Sequence, residues 1–186
     1  MKFLRLDRKK GKCRGCVLYY ANNLEAVYRK DLTTNGLEAA WLQVKFPNSS
    51  VLFAVIYRPP DTNQFFDLIG SPLEKAWLKT SNIVLLGDFN CDFKYQDSES
   101  DLNCNTDKLR SIFEMFNMQN VIMENTRVTL TTCSLLDLIV TTRKDLFGTS
   151  GVFPLGISDH NLVYATMRLK NKRPPPKYAN PEPADK

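Results

Sequence analysis

The sequence predicts a layered α/β or α+β domain with mixed sheets, and three observations carry that reading. Short β-rich runs are interleaved with two stretches of helical spacing. Two of the β-rich runs bracket a short turn, as in a hairpin. A chain of 186 residues is long enough for one compact domain with its own core. A classical dinucleotide-binding fold is not expected, because no G-x-G-x-x-G is present.

The elements follow in order. Residues 1–15 read as basic and turn-rich, with Arg5, Arg8, Lys9, Lys10, Lys12 and Arg14. CVLYY at 16–20 predicts a first strand. AAWLQVKF at 39–46 and VLFAVIYRPP at 51–60 predict a hairpin around the turn PNSS. Pro59 and Pro60 stop its second strand, since proline has no N–H for the ladder. FFDLIGSPLEKAWLK at 65–79 sets Phe66, Ile69, Leu73 and Trp77 near helical spacing, and Gly70 with Pro72 is expected to split it into a turn and a shorter helix. IVLL at 83–86 is a strand, and the polar KYQDSESDLNCN at 94–105 is a loop. TDKLRSIFEMF at 106–116 predicts an amphipathic helix, capped by Asn105 or Thr106 and with Asp107 at the positive end of its dipole. NVIME at 120–124, LLDLIVTT at 135–142 and NLVYATMRL at 161–169 predict three more strands. The last segment, 170–186, holds five prolines and few apolar residues, and reads as a linker or disordered tail.

The net charge of +5 is a mild bias towards anionic partners such as nucleic acid or phosphates. No run approaches the roughly 20 apolar residues of a membrane span, and MKFLRLDRKK has no apolar core of signal-peptide length. The odd set of five cysteines reads as reduced thiols of an intracellular protein, nuclear or cytoplasmic. Cys13 and Cys16 form a single C-x-x-C without two further spaced ligands, so they predict no zinc site. Asn48-Ser49-Ser50 reads as a turn.

The chemistry lies in polar residues at the ends of apolar strands. Tyr57 and Arg58 end VLFAVIYRPP, and Asp88 and Asn90 end IVLLGDFN. Asp137 sits inside SLLDLIV, where an unpartnered carboxylate would be costly, so it predicts a partner. Asp159 and His160, the only histidine, precede the last strand. If these strand ends meet on one rim, they assemble three carboxylates, an imidazole, an amide and a phenol. Carboxylates suit Mg²⁺, a hard ion that keeps several waters and polarises phosphoryl oxygens. A further Asp can accept a proton from water, and a His paired with a carboxylate is held in one tautomer. Asn and Tyr can donate hydrogen bonds to developing negative charge.

YRPP, GDFN, SLLDLI and ISDHNLV, with NTRVT at 125–129, occur here in an order and spacing that resemble the endonuclease/exonuclease/phosphatase superfamily. The closest form is the apurinic-like endonuclease domain of non-LTR (LINE-type) retrotransposons of the jockey and CR1 kind. The resemblance spans roughly Arg8 to Met167, within a domain taken as 1–169, with 170–186 as a Pro-rich basic linker. It implies a four-layered α/β sandwich of two mixed sheets flanked by helices, and Mg²⁺-dependent phosphodiester cleavage, with Mn²⁺ as the substitute ion. By resemblance, Asp88 activates the water, Asn90 orients the phosphate, and His160, oriented by Asp137, acts on the scissile phosphate. Asp159 and Asp88 are implied as metal carboxylates and Tyr57 as the phenol on the phosphate. Arg58, Thr126, Ser134 and Asn161 are implied on the substrate side.

The family pattern opens with an asparagine strand and a metal-binding glutamate ahead of R-x-D-R-x-G-G-G-V. Here RLDRKKGKCRGCVLYY starts a few residues after Met1, so the expectation is a chain lacking the first strand and helix of the fold. Glu25 and Glu38 both follow that landmark and are not expected to replace the glutamate. Cys16 stands where the family has glycine. Three readings follow: a DNA-nicking endonuclease, with a reverse transcriptase domain in the full-length element; a phosphatase of the same superfamily; and an inactive remnant that at most binds nucleic acid through its basic surface.

Overall fold

The computed structural model describes residues 1–7, 15–60, 62–94 and 104–169. The side chains of Asp7 and Cys104 fall outside that description. So do the whole basic run at 8–14 with Cys13, most of the loop expected at 94–105 and the whole Pro-rich segment 170–186.

A six-stranded mixed sheet runs in the order β3 (Glu25–Tyr28), β4 (Glu38–Phe46), β5 (Ser49–Tyr57), β6 (Ile83–Asp88), β10 (Asp137–Thr141), β7 (Gln119–Asn120). β4 and β5 form the expected hairpin, with register Lys45↔Ser50 at its closed end and Glu38↔Tyr57 at its open end. β5 and β6 are parallel, joined through α1 (Gln64–Trp77), while β6 and β10 are antiparallel. Three two-stranded antiparallel ribbons complete the strands among the described residues: β1 (Lys2–Asp7) with β2 (Gly15–Tyr20), β8 (Arg127–Val128) with β9 (Cys133–Ser134), and β11 (Phe147–Phe153) with β12 (Leu162–Met167). The α/β class and mixed sheet are as the sequence predicts, with two helices, α1 and α2 (Cys104–Met115), among the described residues.

Alternation divides the sheet into two faces. On one face Trp41, Leu52, Ala54, Ile56, Ile83, Leu85, Leu138 and Val140 are all fully or almost fully buried. Phe89, just beyond β6, plugs this face, with its ring edge-on to Phe65 of α1 and Phe113 of α2. The opposite face carries Asp88. The β1–β2 ribbon lies over β4 and β5, and β12 lies against β10. Ala40 and Leu42 beneath one ribbon and Ile139 beneath the other are buried, whereas Phe53, Val55 and Leu86 on the central strands are only half-buried. Among the described residues this second layer consists of the β1–β2 and β11–β12 hairpins.

Several expectations are corrected. Lys2–Asp7 is a strand, not a turn, because Phe3, Leu4 and Leu6 pair in register with Tyr19, Leu18 and Cys16. Residues 64–77 form one helix with Pro72 inside it. Burial of Phe65, Ile69, Pro72, Leu73 and Ala76 on one stripe outweighs the backbone hydrogen bond that Pro72 cannot make. Trp77 is half-exposed, so the buried face is rotated from the expected one. Helix α2 begins at Cys104, so Asn105 and Thr106 lie inside its first turn; Thr106 is buried and its hydroxyl donates to the Asp92 carbonyl (3.3 Å). The strand expected at 120–124 shortens to Gln119–Asn120, since the Asn120 side chain bonds both the N–H and the carbonyl of Ile122 and turns the backbone out of the sheet. Of the cysteines, Cys16, Cys91 and Cys133 are free thiols, and burial pushes Cys16 and Cys91 up to about 11.

Candidate active site

The site begins with a glycine. At Gly87 the backbone φ is +144°, and a Cβ there would stand 1.8 Å from the Ile56 carbonyl oxygen. Only a residue without a side chain lets β6 pass this close to β5 just before Asp88.

Cross-strand register then builds a row. Glu38 of β4 is opposite Tyr57 of β5, Tyr57 is beside Asp88 of β6, and Asp88 is opposite Asp137 of β10. Residues in one such row project from the same face. Tyr57, Asp88 and Asp137 are each half-buried there.

Asp88 and Asn90 form one unit. Asp88 Oδ1 accepts from the Asn90 backbone N–H (2.9 Å), and Asp88 Oδ2 accepts from Asn90 Nδ2 (3.1 Å). Nδ2 donates its second hydrogen to the Arg58 carbonyl (2.8 Å). Both amide hydrogens are thereby used, and two oxygen acceptors facing the same atom fix it as nitrogen. Asn90 presents only its Oδ1 acceptor. Its φ of +46° is left-handed, a conformation that asparagine tolerates when local hydrogen bonds hold it. Burial pushes the Asp88 carboxyl above its ordinary range; Asp137 across the strands adds to that, while the Asn90 N–H and His160 work against it.

Asp137 finds the partner its position demands: its Oδ2 lies 2.8 Å from His160 Nδ1. That contact makes Nδ1 the protonated nitrogen and leaves Nε2 for other work. Thr126 sits behind the pair, fully buried, and its Oγ1 accepts from both the Leu136 N–H (3.0 Å) and the Asp137 N–H (2.9 Å). Its carbonyl accepts from the Asn161 N–H (2.7 Å), so one residue holds both the Asp137 strand and the His160 loop. One ligand atom from each of Asp88, Asp137 and His160 falls within 4.8 Å of the others.

The structure thus brings together Asp88, Asn90, Asp137 and His160, with Tyr57 in the same row. It places the other expected residues differently. Asp159 stands outside the cluster: its Oδ2 accepts from Arg127 Nε (2.8 Å), which holds its carboxyl below the usual range. Arg58, expected on the substrate side, is fully buried and bonds the backbone carbonyls of Phe89, Asn90 and Pro60. Thr126 is likewise enclosed and supports the site rather than lining it. Ser134 lies on β9 opposite Arg127, and its carbonyl accepts from the Thr126 N–H. Asn161 lines a cavity of about 420 Å³ with Lys94, Met123, Glu124, Asn125 and Pro154. Sequence reasoning missed Arg127 as the partner of Asp159 and set aside Glu38, which the hairpin register puts in the Asp88 row. A turn of two residues, Pro47 and Asn48, instead of the four in PNSS, is the signal that yields this register.

The family model described as endonuclease-reverse transcriptase matches residues 51–164, more than half of the chain. No curated protein matches the sequence. Among solved structures, the endonuclease domain of TRAS1, a telomere-specific non-LTR retrotransposon, aligns with a TM-score of 0.74 at 16% identity, over 91% of this chain and 81% of that chain. The 3′ phosphatase NExo from Neisseria, bound to a product DNA hairpin, gives 0.58 at 13% identity, covering 77% of this chain and 70% of that one. A mannosyl-6-phosphatase from Bacteroides thetaiotaomicron gives 0.55 at 14%, covering 89% and 76%. At these identities the likeness is one of fold.

Proposed function

This chain belongs to the endonuclease-reverse transcriptase family, and from that premise we propose that it hydrolyses phosphodiesters of DNA as a Mg²⁺-dependent nicking endonuclease. The observation that carries the reading is the joined pair of dyads, Asp88–Asn90 and Asp137–His160, on directly opposed residues of β6 and β10.

The donor set fits a hard divalent cation. Two carboxylates face each other in a half-buried site, and among the described residues no Lys or Arg pairs with either. Asp88 and the Oδ1 of Asp137 would hold the ion, with Asp159 as a further carboxylate if Arg127 releases it. A bound Mg²⁺ keeps most of its waters and supplies Lewis acidity at a phosphoryl oxygen.

The protein's own groups divide the remaining work. Asp88 takes a proton from the attacking water, whose oxygen forms the new bond to phosphorus. Asn90 Oδ1 accepts the water's other hydrogen and so aims it. His160, held through Nδ1–H by Asp137, acts in its doubly protonated form: Nε2–H donates to the phosphate and stabilises its negative charge. The Tyr57 hydroxyl donates to the same phosphate. The bridging P–O bond breaks, the departing oxygen takes up a proton from solvent water, and the proton held by Asp88 returns to solvent. Lys94 and Asn161, which line the 420 Å³ cavity, suit the flanking strand. The family description names a reverse transcriptase, and in a full-length element we place one in the same polypeptide.

A labelled duplex incubated with the chain and Mg²⁺, beside a small phosphomonoester, tests this reading. Internal cleavage of the duplex, abolished by chelator and by Asp88→Ala, is expected. Phosphate release from the monoester with the duplex left intact would replace the endonuclease by a phosphatase.

A further inference from the structure

Arg58 is a fully buried guanidinium without a carboxylate partner among the described residues. Nη1 donates to the carbonyls of Asn90 (3.0 Å) and Phe89 (3.3 Å), and Nη2 donates to the Pro60 carbonyl (3.3 Å). The Phe66 ring centroid lies 4.9 Å from the guanidinium carbon, and Nε has no hydrogen-bond partner among the described residues. A buried charge satisfied only by carbonyl oxygens and an aromatic face costs stability relative to an apolar side chain of similar volume. As packing material, Arg58 is a poor choice.

Its contacts converge on one neighbour. The Arg58 N–H donates to the Asp88 carbonyl (2.9 Å), the Arg58 carbonyl accepts from Asn90 Nδ2 (2.8 Å), and Nη1 holds the Asn90 carbonyl. Asn90 is thus gripped at its side chain and its backbone, while in the left-handed conformation. Such a conformation persists only where surrounding contacts over-determine it. Without the guanidinium the Asn90 carbonyl loses its anchor, the residue relaxes, and Nδ2 moves off Asp88 Oδ2.

We infer that Arg58 is a positioning residue: from inside the protein it locks Asn90 in the left-handed conformation and so keeps the Asp88 carboxylate and the Asn90 amide as one rigid unit. The effect on catalysis rests on the function proposed above; the lock itself does not. Arg58 touches no substrate, so its loss acts on turnover and not on binding.

The test compares Arg58→Met and Arg58→Lys with the parent in the full chain, by two readouts. The first is the Asn90 side-chain amide in ¹H–¹⁵N spectra, assigned with Asn90→Asp. In the parent its two hydrogens exchange slowly, because both are bonded. In Arg58→Met they exchange fast, and Arg58→Lys, a point charge without the fork, lies between. The second is cleavage of a duplex oligonucleotide: kcat falls on the order of 10²-fold in Arg58→Met with KM unchanged, the scale expected of a misplaced catalytic group. If Arg58→Met does not fold, Arg58→Lys carries both readouts. Unchanged Asn90 amide exchange in the folded variants overturns the proposal, as does a rise in KM at constant kcat. A parent chain that cuts no DNA while the amide still loosens in the variants refutes the proposed activity and leaves the lock standing.

Discussion

Replacing Thr126 by valine keeps its shape and removes one atom, Oγ1. That oxygen accepts the backbone N–H of Leu136 and of Asp137 at 3.0 and 2.9 Å, in a side chain with no exposure. The valine leaves two N–H groups without their acceptor. Each buried, unsatisfied donor costs about 1–3 kcal/mol, and the Asp137 N–H is only partly enclosed, so the total is about 2–4 kcal/mol. Serine keeps the oxygen and loses one methyl, at about 1 kcal/mol. Urea unfolding reads the difference as a lower midpoint at unchanged slope for Thr126→Val, with Thr126→Ser close to the parent. Single-turnover cleavage should follow the same order, since Asp137 is what holds His160. If valine and serine behave alike in both assays, Oγ1 does not hold this strand and the account of Thr126 is wrong.

Other perturbations have equally definite outcomes. Gly87→Ala forces a Cβ against the Ile56 carbonyl at a φ of +144° and should leave little folded protein by circular dichroism; a well-folded variant would show that β6 can shift. Phe89→Ala empties the contact between α1, α2 and the sheet and should cost about 3–5 kcal/mol by chemical denaturation. Asp88 must be ionised to accept a proton, and its carboxyl is raised above the ordinary 3.8 by burial first and Asp137 second. Activity should therefore fall away on acidification at a higher pH than an unperturbed carboxylate would give, and added Mg²⁺ should move that acid limb to lower pH; a limb insensitive to Mg²⁺ would separate Asp88 from the ion. Arg127→Ala should leave thermal stability unresolved from the parent, because its ion pair with Asp159 is exposed, yet change the Mg²⁺ concentration needed for cleavage. An unchanged requirement would make that pair irrelevant to the site.

Much of the fold was legible where one face of an element is buried and the other is not. The β4–β5 hairpin, the strand into Asp88 and the strand carrying Asp137 all announce themselves by apolar runs with abrupt polar ends. Asp137 is the clearest case, since a carboxylate inside the apolar run SLLDLIV needs a partner, and His160 supplies it. What stayed hidden depends on tertiary contact. Pro72 reads as a helix breaker until the sheet beneath α1 is known. β1 is a short ribbon whose cue is its pairing with β2, a relation that local spacing does not contain. The family resemblance implies Arg58 and Thr126 on the substrate side, whereas burial makes both into supports. Position along a motif shows that a residue matters; only packing shows which way it faces.

The central claim is that Asp88–Asn90 and Asp137–His160 form one phosphodiester-cleaving centre. Its most direct test is nicking of supercoiled plasmid by the purified chain with Mg²⁺ and with chelator, alongside His160→Ala, with folding of both proteins verified by circular dichroism. The account predicts conversion to open circles that needs the ion and is lost in the variant. Equal nicking by parent and variant, or none from a folded parent, would contradict it.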